Sequence, residues 1–454
     1  MQQENIFPIE AKEYTARQIN IINSPKQLGH CDIDSEPYFK RLGIDILNKK
    51  QPIQFSPNVN EAIHRWAPYV QGFSASFVQS VFDQYKNDYK NPIVLDPFTG
   101  CGTVQVQSKL NGYKSFGTEL NPLLKFIAET KLNSWDVSPK ELLKVFNKLD
   151  MSHSTKAPRF LKSEKQFSKE VLSNLEVLKG GIDNLSSKTN QKIIDLLNLA
   201  FSSILVDVSK LKRSPCLGYS KSKKVDPHAP FVLMNQKVHQ IIEDLKTIQN
   251  EFNDFISTQS QVFLSNSMEY NHSNKFDLVI TSPPYMNGLD YVINYKIEMG
   301  WLNFADNQTE LKKVKDEMVV CDNVSKGLIR NFHPVYTNDW IEDIKQSIQK
   351  NILRRGAYRR QDMPIIVHKY FDDMYKVFKM VVPKIKNDGR FILVVGDSLI
   401  ADVYVPTDLL IAQIGKDLGL TIEKIEKARN RRSGQIRSYK LRETIITLRK
   451  SNGR

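Results

Sequence analysis

The chain has 454 residues, of which 41% are hydrophobic and 25% are charged, as is ordinary for a globular protein. This length allows one large domain with a substantial insertion, or two domains. The formal net charge of +14 favours a polyanionic partner such as nucleic acid over a merely basic surface, because Lys and Arg can neutralise phosphates.

The four cysteines argue against a zinc ribbon and a disulfide framework, because they lie far apart and form no Cys-x-x-Cys pair. They fit a reducing compartment, so we expect a cytoplasmic protein. The N-terminus lacks the basic start and apolar run of a signal peptide. No apolar stretch approaches the roughly 20 residues that a membrane span needs, so we expect no membrane partner.

Residues 1–125 are predicted to contain a weak helix around Tyr38–Asn48, two strands and one further helix. Residues 1–60 are polar and mixed, and we interpret them as an N-terminal extension. The first clear strand is Ile93–Leu95. A helix should run from Thr103 to Asn111, because Gly112 ends it. The second strand, Lys114–Thr118, leads directly into Glu119.

Residues 126–258 are predicted to form a large helical insertion. Apolar residues recur there at helical spacing, which indicates helices and not strands. A basic loop with Pro and Gly, residues 210–224, interrupts the pattern. The predicted helices are Lys140–Leu149, Phe167–Leu178, Ile193–Val208 and Val238–Phe252.

Strands resume after this insertion and alternate with helices. This alternation predicts an α/β fold, with a mostly parallel sheet that has helices on both faces. A second insertion is expected at residues 305–365. A helix is expected at Tyr370–Ile385, with Asn387-Asp388-Gly389 as its stop. The later strands are Gln261–Leu264, Asp277–Thr281, Arg390–Val395, Ile422–Lys427 and Thr444–Leu448.

A glycine-rich turn follows the first strand, with the sequence Asp96-Pro97-Phe98-Thr99-Gly100-Cys101-Gly102-Thr103. Ligands of open parallel sheets bind at the carboxyl ends of the strands, and glycines let the backbone approach a ligand closely. Asp96 could accept a hydrogen bond from a cationic amino group. Glu119 could accept hydrogen bonds from both hydroxyls of a ribose. The spacing is neither Gly-x-Gly-x-x-Gly nor a P-loop, so the turn predicts a nucleoside-type ligand other than a dinucleotide or ATP.

A second motif, Ser282-Pro283-Pro284-Tyr285, follows the predicted strand Asp277–Thr281. The two prolines fix an extended turn and remove backbone donors. The exocyclic amine of a base is a poor nucleophile because its lone pair is delocalised into the ring. Acceptors such as the Ser282 hydroxyl and the Pro283 carbonyl would favour a pyramidal nitrogen. Tyr285 offers a flat face for stacking a flipped base.

The two motifs together resemble those of S-adenosylmethionine-dependent DNA amino-methyltransferases. The resemblance is strongest to enzymes that make N4-methylcytosine, whose loop is typically Ser-Pro-Pro-Tyr. The glycine turn matches the family's donor motif, and residues 64–74 resemble its additional donor-binding segment. Residues 287–291 and 389–398 resemble the stretch after its catalytic loop and a later core strand. The resemblance covers about residues 60–122 and 260–450.

The resemblance implies a class I methyltransferase fold, which is Rossmann-like with a mostly parallel seven-stranded sheet. The catalytic domain would comprise residues 61–125 and 259–450. The cofactor would be S-adenosyl-L-methionine, no metal is expected, and the catalytic residues would be Ser282, Pro283, Pro284 and Tyr285. The implied cofactor-binding residues are Asp96, Phe98, Gly100, Gly102, Thr103, Glu119, Asn266, Trp66, Tyr69, Phe73 and Ser74.

Two features depart from the family's pattern. Asn266 stands where the family usually has an Asp that binds the adenine amine, although its side-chain oxygen can accept the same bond. The donor motifs precede the catalytic loop, unlike the permuted order that is common among relatives with this glycine turn. Target recognition is therefore hard to place by analogy.

Three basic clusters suit contact with DNA phosphates or with guanine in the major groove. One lies in the loop at residues 210–224 of the helical insertion, one lies within the second insertion and one lies near the C-terminus. The alternative for each cluster is a solvated basic face. The candidate DNA-binding residues are Lys210, Lys212, Arg213, Lys221, Lys223, Lys224, Arg354, Arg355, Arg359, Arg360, Arg431 and Arg432.

The sequence thus predicts methyl transfer from S-adenosyl-L-methionine to cytosine N4 in duplex DNA, with a flipped target base. The expected setting is a restriction-modification system with a separately acting endonuclease. N6-adenine methylation stays open, because the chemistry is the same. More distant alternatives are an RNA base methyltransferase and a catalytically idle DNA-binding protein. Pro215-Cys216 resembles the nucleophile of cytosine C5-methyltransferases, but it lies in the basic loop and not after the fourth strand.

Overall fold

In this computed structural model, β-strands alternate with helices from residue 94 onward. The structure describes residues 31–32, 42, 46–49, 53–70, 72–185, 189–213, 216–286, 288, 290–321, 324–355, 360–432 and 439–451. Its strands are β1 (Cys31–Asp32), β2 (Ile46–Asn48), β3 (Val94–Asp96), β4 (Ser115–Glu119), β5 (Leu211–Arg213), β6 (Leu217–Tyr219), β7 (Ser260–Leu264), β8 (Phe276–Thr281), β9 (Ile385–Gly396), β10 (Ser398–Ile400), β11 (Val403–Val405), β12 (Thr421–Arg432) and β13 (Tyr439–Arg449).

Helices follow most of the buried strands and fill the long segments between them. Short 3-10 helices occur at Ser56–Asn60, His64–Trp66, Arg159–Leu161, Asn253–Phe255 and Val382–Lys384. The α-helices are α1 (Ala75–Tyr85), α2 (Thr103–Leu110), α3 (Pro122–Asn133), α4 (Pro139–Asn147), α5 (Ser163–Gln166), α6 (Lys169–Asp183), α7 (Gln191–Ile204), α8 (Ala229–Glu251), α9 (Tyr291–Asn294), α10 (Lys296–Trp301), α11 (Gln308–Glu317), α12 (Lys326–Arg330), α13 (Asp339–Arg355), α14 (Met363–Val381) and α15 (Thr407–Asp417).

The chain divides into two units, which we name after the motif that each contains. The glycine-turn unit comprises residues 54–266 and 289–317. In it, β4 pairs in parallel with β3 on one side and with β7 on the other. Helix α2 connects β3 to β4, as a parallel pair requires a crossover. Helices α3 to α8 and the hairpin β5–β6 lie between β4 and β7 along the chain.

The Pro-Pro unit comprises residues 1–53, 267–288 and 318–454. Its strand order is β2-β12-β13-β9-β8. β8 pairs with β9 in parallel, whereas β13 is antiparallel to both β9 and β12. β2 adds to β12 in parallel and β1 adds to β13 in parallel. Val279, Leu393 and Ile446 are fully buried, so their strands supply the core of this unit.

These pairings fit the predicted α/β class with mostly parallel strands. All seven strands expected from the sequence occur, and β1, β2, β10 and β11 are short additional strands that were not predicted. β2 lies where the end of a weak helix was expected, because residues 46–48 pair in parallel with β12. The basic loop at residues 210–224 was expected to be irregular, but it contains the antiparallel hairpin β5–β6. None of the described helices is both long and apolar enough to span a membrane.

The expected helix stop at Asn387-Asp388-Gly389 was wrong. Helix α14 ends at Val381, just before Pro383, and residues 387–389 lie within β9. Proline has no backbone N–H to donate, so it ends the helix earlier than the glycine could. Asp388 has φ +61° there, and its N–H donates to the Lys450 carbonyl at 2.8 Å.

A buried carboxylate on α8 organises the segment before α1 in the glycine-turn unit. Asp244 is only 2% exposed. It accepts hydrogen bonds from the Ile63 N–H at 3.0 Å, the Trp66 Nε1–H at 2.8 Å and the Arg65 Nε–H at 3.1 Å. Arg65 Nη2 donates to its other oxygen. One carboxylate thus fixes the backbone at Ile63 and the side chains of Arg65 and Trp66.

Asp244→Ala should therefore destabilise the glycine-turn unit strongly. The substitution leaves a buried N–H, an indole N–H and a guanidinium without their partner, at a cost of about 3–5 kcal/mol. Urea unfolding followed by tryptophan fluorescence measures the change. The control is Asp254→Ala, an exposed aspartate just beyond the same helix, which should shift the midpoint little. Equal midpoints for the two variants would contradict this role of Asp244.

Candidate active site

The glycine turn begins at a buried aspartate that ends β3. Asp96 is 1% exposed, and its Oδ1 accepts a hydrogen bond from the Phe98 N–H at 2.9 Å. The Thr99 N–H donates to the Thr118 carbonyl at 3.0 Å, and the Thr99 hydroxyl donates to the Asp96 carbonyl at 3.1 Å. The turn is therefore tied both to the strand it leaves and to β4.

Two positions in the turn require glycine. Gly100 has φ +53° and Gly102 has φ +86°, a region that favours glycine. A Cβ on Gly100 would lie 2.6 Å from the Tyr69 Oη, and a Cβ on Gly102 would lie 3.0 Å from the Ala128 Cβ. Glycine is thus required at both positions by the positive φ and by the close packing of Tyr69 and Ala128.

Glu119 ends β4 and faces this turn. Its Oε2 accepts the Gly100 N–H and its Oε1 accepts the Asn121 N–H, both at 2.8 Å. Burial raises the pKa of Glu119 to about 7, although the two N–H groups favour the ionised form. Each carboxylate oxygen has a second lone pair, so the pair can accept two ribose hydroxyls. These residues fit the nucleoside part of S-adenosyl-L-methionine.

The predicted segment at residues 64–74 reaches the glycine turn through Tyr69. Its ring stacks on Tyr295 and Tyr291, with centroids 6.1 and 6.3 Å apart. The Tyr295 hydroxyl accepts the Val70 N–H at 3.2 Å and so fixes the same segment. Burial raises the pKa of Tyr69 well above its usual range. Sequence reasoning missed Tyr295, which lies more than two hundred residues further along the chain. Tyr291 lay in the segment 287–291 that resembles the family, but it was given no role beside the glycine turn.

The other predicted residues of this segment have packing contacts. Trp66 is fully buried and donates to Asp244. Phe73 packs edge-on against Phe77, with ring centroids 5.5 Å apart. Ser74 Oγ accepts the Phe77 N–H at 3.1 Å and caps α1.

Three further cofactor candidates lie at the ends of strands or at the start of a helix. Phe98 is half-buried within the turn, and Thr103 is buried at the start of α2. Asn266 follows β7 by two residues, and its side-chain N–H donates to the Glu317 carbonyl at 3.0 Å. The side-chain oxygen of Asn266 has the chemistry to accept a hydrogen bond from an adenine amine.

The catalytic-loop candidate, residues 282–285, is held by side chains of the Pro-Pro unit. It follows β8, whose last residue, Thr281, is buried. The Tyr370 hydroxyl donates to the Pro284 carbonyl at 2.9 Å. The Tyr285 hydroxyl donates to Glu443 Oε1 at 2.5 Å. The loop is thus anchored at two successive residues by partners that are distant in sequence.

Charged groups surround the Tyr285 ring. The Arg431 Cζ lies 5.2 Å from the ring centroid, and Arg429 forms an ion pair with Glu443. Burial raises the pKa of Tyr285 well above its usual range, and Glu443 raises it further. Arg431 and a hydrogen bond with Ser282 oppose this shift. Sequence reasoning missed Glu443, because no motif marks a carboxylate in the middle of β13.

We call the loop at residues 210–224, which contains β5–β6, the hairpin region. Its candidate DNA-binding residues fall into two groups. Lys210, Lys212, Lys221 and Lys224 are exposed. The Arg213 side chain is only 8% exposed, forms an ion pair with Glu298 and lies 4.6 Å from the Tyr295 ring centroid. Lys223 donates to the carbonyls of Val206 and Leu211 at 2.7 and 2.9 Å. The side chains of Arg213 and Lys223 therefore make contacts within the glycine-turn unit.

The other two basic clusters are described in part. Arg354 is exposed, whereas Arg360 pairs with Asp362 and donates to the Val324 carbonyl at 2.6 Å. Arg359 and the side chains of Arg355 and Arg432 lie outside the described residues. Among the described residues, no group of three or more His, Cys, Asp or Glu side chains is arranged to hold a metal ion.

Several curated proteins are similar to this chain over most of its length. Type II methyltransferase M.BsoBI of Geobacillus stearothermophilus is 23% identical over 92% of this chain and 88% of its own. Type II methyltransferase M.AvaI of Nostoc sp. is 23% identical over 82% of each chain. Type II methyltransferase M.MvaI of Kocuria varians is 22% identical over 82% of this chain and 86% of its own. No protein-family model matches the chain.

The relatives support a DNA methyltransferase of the type II class, with S-adenosyl-L-methionine as the methyl donor. Two solved structures overlap more weakly. They are TrmN from Thermus thermophilus, with a TM-score of 0.28 over 88% of this chain and 53% of its own, and the rRNA methyltransferase aviRa from Streptomyces viridochromogenes, with a TM-score of 0.30 over 88% and 94%. Both are 7% identical, and such an overlap carries no argument.

Donor binding should weaken as the pH falls, because Glu119 loses its charge below a pKa of about 7. The ionised carboxylate would be able to accept hydrogen bonds from both ribose hydroxyls, whereas the protonated form has one acceptor fewer. Calorimetry with S-adenosyl-L-methionine between about pH 6 and 8 should show a Kd that rises by up to about tenfold per unit below the pKa.

The matched variant for this prediction is Glu119→Gln, which keeps the shape of the side chain but does not titrate. It should bind the donor more weakly than the wild type at the higher pH, by roughly 1–3 kcal/mol. Its affinity should not change with pH in this range. If the Glu119→Gln variant kept the wild-type pH dependence, a different group would control donor binding.

Proposed function

We propose that this protein is a DNA methyltransferase that transfers a methyl group from S-adenosyl-L-methionine to cytosine N4 in duplex DNA. The observation that carries the proposal is the loop Ser282-Pro283-Pro284-Tyr285 at the end of the buried strand β8, with its tyrosine and its second proline anchored by Glu443 and Tyr370. The similarity to type II methyltransferases supports the same class of reaction.

The residues of the loop would act on the target amine. The Ser282 hydroxyl and the Pro283 carbonyl would accept its two hydrogens, which favours a nucleophilic, pyramidal nitrogen. The Pro284 carbonyl accepts the Tyr370 hydroxyl, so it stabilises the loop and is not assigned to the target amine. The Tyr285 ring would stack on the flipped base, with its plane fixed by the bond from its hydroxyl to Glu443.

The residues at the ends of β3, β4 and β7 would hold the donor. Glu119 would bind the ribose, Asp96 the cationic amino group, and Asn266 the adenine amine. Tyr69 and the bare backbone at Gly100 and Gly102 would shape the cavity around it. Trp66, Phe73, Ser74, Phe98 and Thr103 would support this arrangement. When bound, S-adenosyl-L-methionine supplies a methyl group activated by a sulfonium.

The net charge of +14 and the exposed lysines of the hairpin region support duplex DNA as the partner. We further propose that the protein belongs to a restriction-modification system with a separate endonuclease and acts in the cytoplasm. The domain scheme stays a proposal as well. It places the catalytic domain at residues 61–125 and 259–450 and assigns DNA contacts to residues 126–258 and 305–365.

The product of the reaction should be N4-methylcytosine. Genomic DNA from a host that lacks the gene, incubated with the protein and S-adenosyl-L-methionine, should contain this base when digested and analysed by mass spectrometry. Ser282→Ala should slow the transfer by roughly 10²-fold, because it removes one acceptor that acts on the reacting amine. The same variant should bind the donor with wild-type affinity by calorimetry.

Other products would contradict different parts of the proposal. Finding only N6-methyladenine would agree with the proposed amine chemistry but would contradict cytosine as the target base. 5-Methylcytosine that disappears in Cys216→Ser would refute the mechanism as well. Methylated RNA with no methylated DNA would contradict duplex DNA as the substrate.

Removal of the exposed lysines in the hairpin region should weaken DNA binding at all sequences. If Lys212, Lys221 and Lys224 each hold one phosphate, the slope of log K against log salt should fall by about 0.9 per Ala substitution. Fluorescence anisotropy of labelled duplex DNA over a salt series measures the slope. The matched control is the triple Ala variant of Lys86, Lys90 and Lys114. It removes the same charge from exposed positions outside the ranges assigned to DNA contact and should keep the wild-type slope.

A further inference from the structure

A fully buried lysine on α3 joins the two segments that are expected to hold the methyl donor. Lys131 is 0% exposed. Its ammonium donates to the His64 carbonyl at 3.2 Å and to the Cys101 carbonyl at 3.4 Å. Cys101 belongs to the glycine turn, and His64 begins the segment at residues 64–74 that resembles a donor-binding segment. One side chain therefore ties this segment to the glycine turn.

The charge of Lys131 has no counter-ion in the part of the chain that the structure describes. Both of its acceptors are neutral backbone carbonyls, and it forms no ion pair with a described carboxylate. Burial lowers the pKa of Lys131, although Cys101 partly opposes this shift. A buried charge without a partner is costly, and such groups are concentrated at functional sites. A negatively charged ligand nearby would stabilise the ammonium.

The methyl donor carries one negative group, the carboxylate of its methionine part. Glu119 and Asn266 are proposed to bind the ribose and the adenine, and Asp96 is proposed to bind the amino group. The carboxylate is attached to the same carbon as this amino group, so it belongs on the side of the glycine turn and of residues 64–74. Because Asp96 and Glu119 would repel a carboxylate, a positive charge is needed on that side.

The two segments themselves supply no free cation. Arg65 is the only Lys or Arg in residues 64–74 and 96–103, and it forms an ion pair with the buried carboxylate of Asp244. Burial lowers the pKa of His64 to about 3, so this side chain is neutral near pH 7. Lys131 touches both segments and has no anionic partner among the described residues, so it is the suitable source of positive charge.

We propose that Lys131 is a positioning residue for the methyl donor, which ties residues 64–74 to the glycine turn and whose charge favours a donor that carries a carboxylate. It acts through the His64 and Cys101 carbonyls and through its electric field, which is weakly screened in a buried site. The inference rests on the proposed function in one respect, the placement of the donor, and does not depend on the target base.

Calorimetry with S-adenosyl-L-methionine and with its decarboxylated form tests this role, because the two ligands differ only in the carboxylate. The wild type should bind the complete donor about tenfold more tightly, as expected for one partly screened charge interaction. Lys131→Met keeps the length of the side chain without its charge, whereas Lys131→Gln is neutral and can still donate hydrogen bonds. Both variants should bind the two ligands with nearly equal Kd.

The matched control is Lys109→Met. Lys109 is a second buried lysine of the glycine-turn unit, and its ammonium donates to the Leu132 carbonyl at 2.6 Å. It lies in the last turn of α2, at the opposite end of this helix from the glycine turn. The control therefore loses a buried charge and a bond to a carbonyl, but it should keep the tenfold preference. Thermal unfolding of each variant checks that it is folded.

The preference for the carboxylate decides between a charge effect and a merely structural one. Its loss in Lys131→Met and Lys131→Gln, with its retention in Lys109→Met, supports the inference. A wild type that binds both ligands equally overturns it, and this measurement needs no variant. Variants that bind both ligands more weakly by the same factor also overturn it, because Lys131 would then be only a structural tie. The expected pattern in a protein that methylates no DNA would support the inference and contradict the proposed function.

Discussion

The carboxylate of Asp244 maintains a backbone conformation that the chain would not adopt without it. Ile63 has φ +65°, which is rare for a β-branched residue and costs on the order of 1–3 kcal/mol. The N–H of this same residue donates to Asp244, together with the side chains of Arg65 and Trp66. Several hydrogen bonds to one buried charge offset the strain. This conformation places Tyr69 against the glycine turn, so the geometry of that turn depends on a residue of the helical insertion.

Both the positive φ angles and the close contacts with neighbouring side chains require glycine at positions 100 and 102 of the glycine turn. A side chain at Gly100 would collide with the Tyr69 hydroxyl, and one at Gly102 would press on Ala128. Glu119 closes the arrangement, because its two oxygens bind the N–H groups of Gly100 and Asn121. These contacts position an acidic group beside bare backbone at the ends of two neighbouring parallel strands. That combination suits a nucleoside whose ribose needs acceptors and whose neighbouring atoms need space.

The loop at residues 282–285 is held rigid in a different way from the glycine turn. Its prolines restrict φ but remove backbone donors, so the loop has few hydrogen bonds of its own to offer. Side chains from other strands and helices compensate, with Tyr370 on α14 bound to Pro284 and Glu443 on β13 bound to Tyr285. Arg429 keeps the buried glutamate paired. The sheet of the Pro-Pro unit thereby fixes both the carbonyl and the aromatic plane.

Local sequence was sufficient for the seven expected strands, for the main helices of the insertion and for the two motifs. Alternating buried strands and amphipathic helices have strong periodicity, and glycine and proline act on their immediate neighbours, so β3, β4, β8 and the turns that follow them were predicted. Partners distant in sequence were not. Tyr295 beside Tyr69, Asp244 beneath Trp66 and Glu443 at Tyr285 lie far along the chain from the groups they hold. The basic residues show the same limit, since Lys212 is exposed while its neighbour Arg213 is buried against Glu298. Sequence by itself determined which chemical groups were present and the local backbone that carries them. Only the tertiary structure decided which of those groups meet, because a side chain's partner depends on packing between segments that no local pattern records.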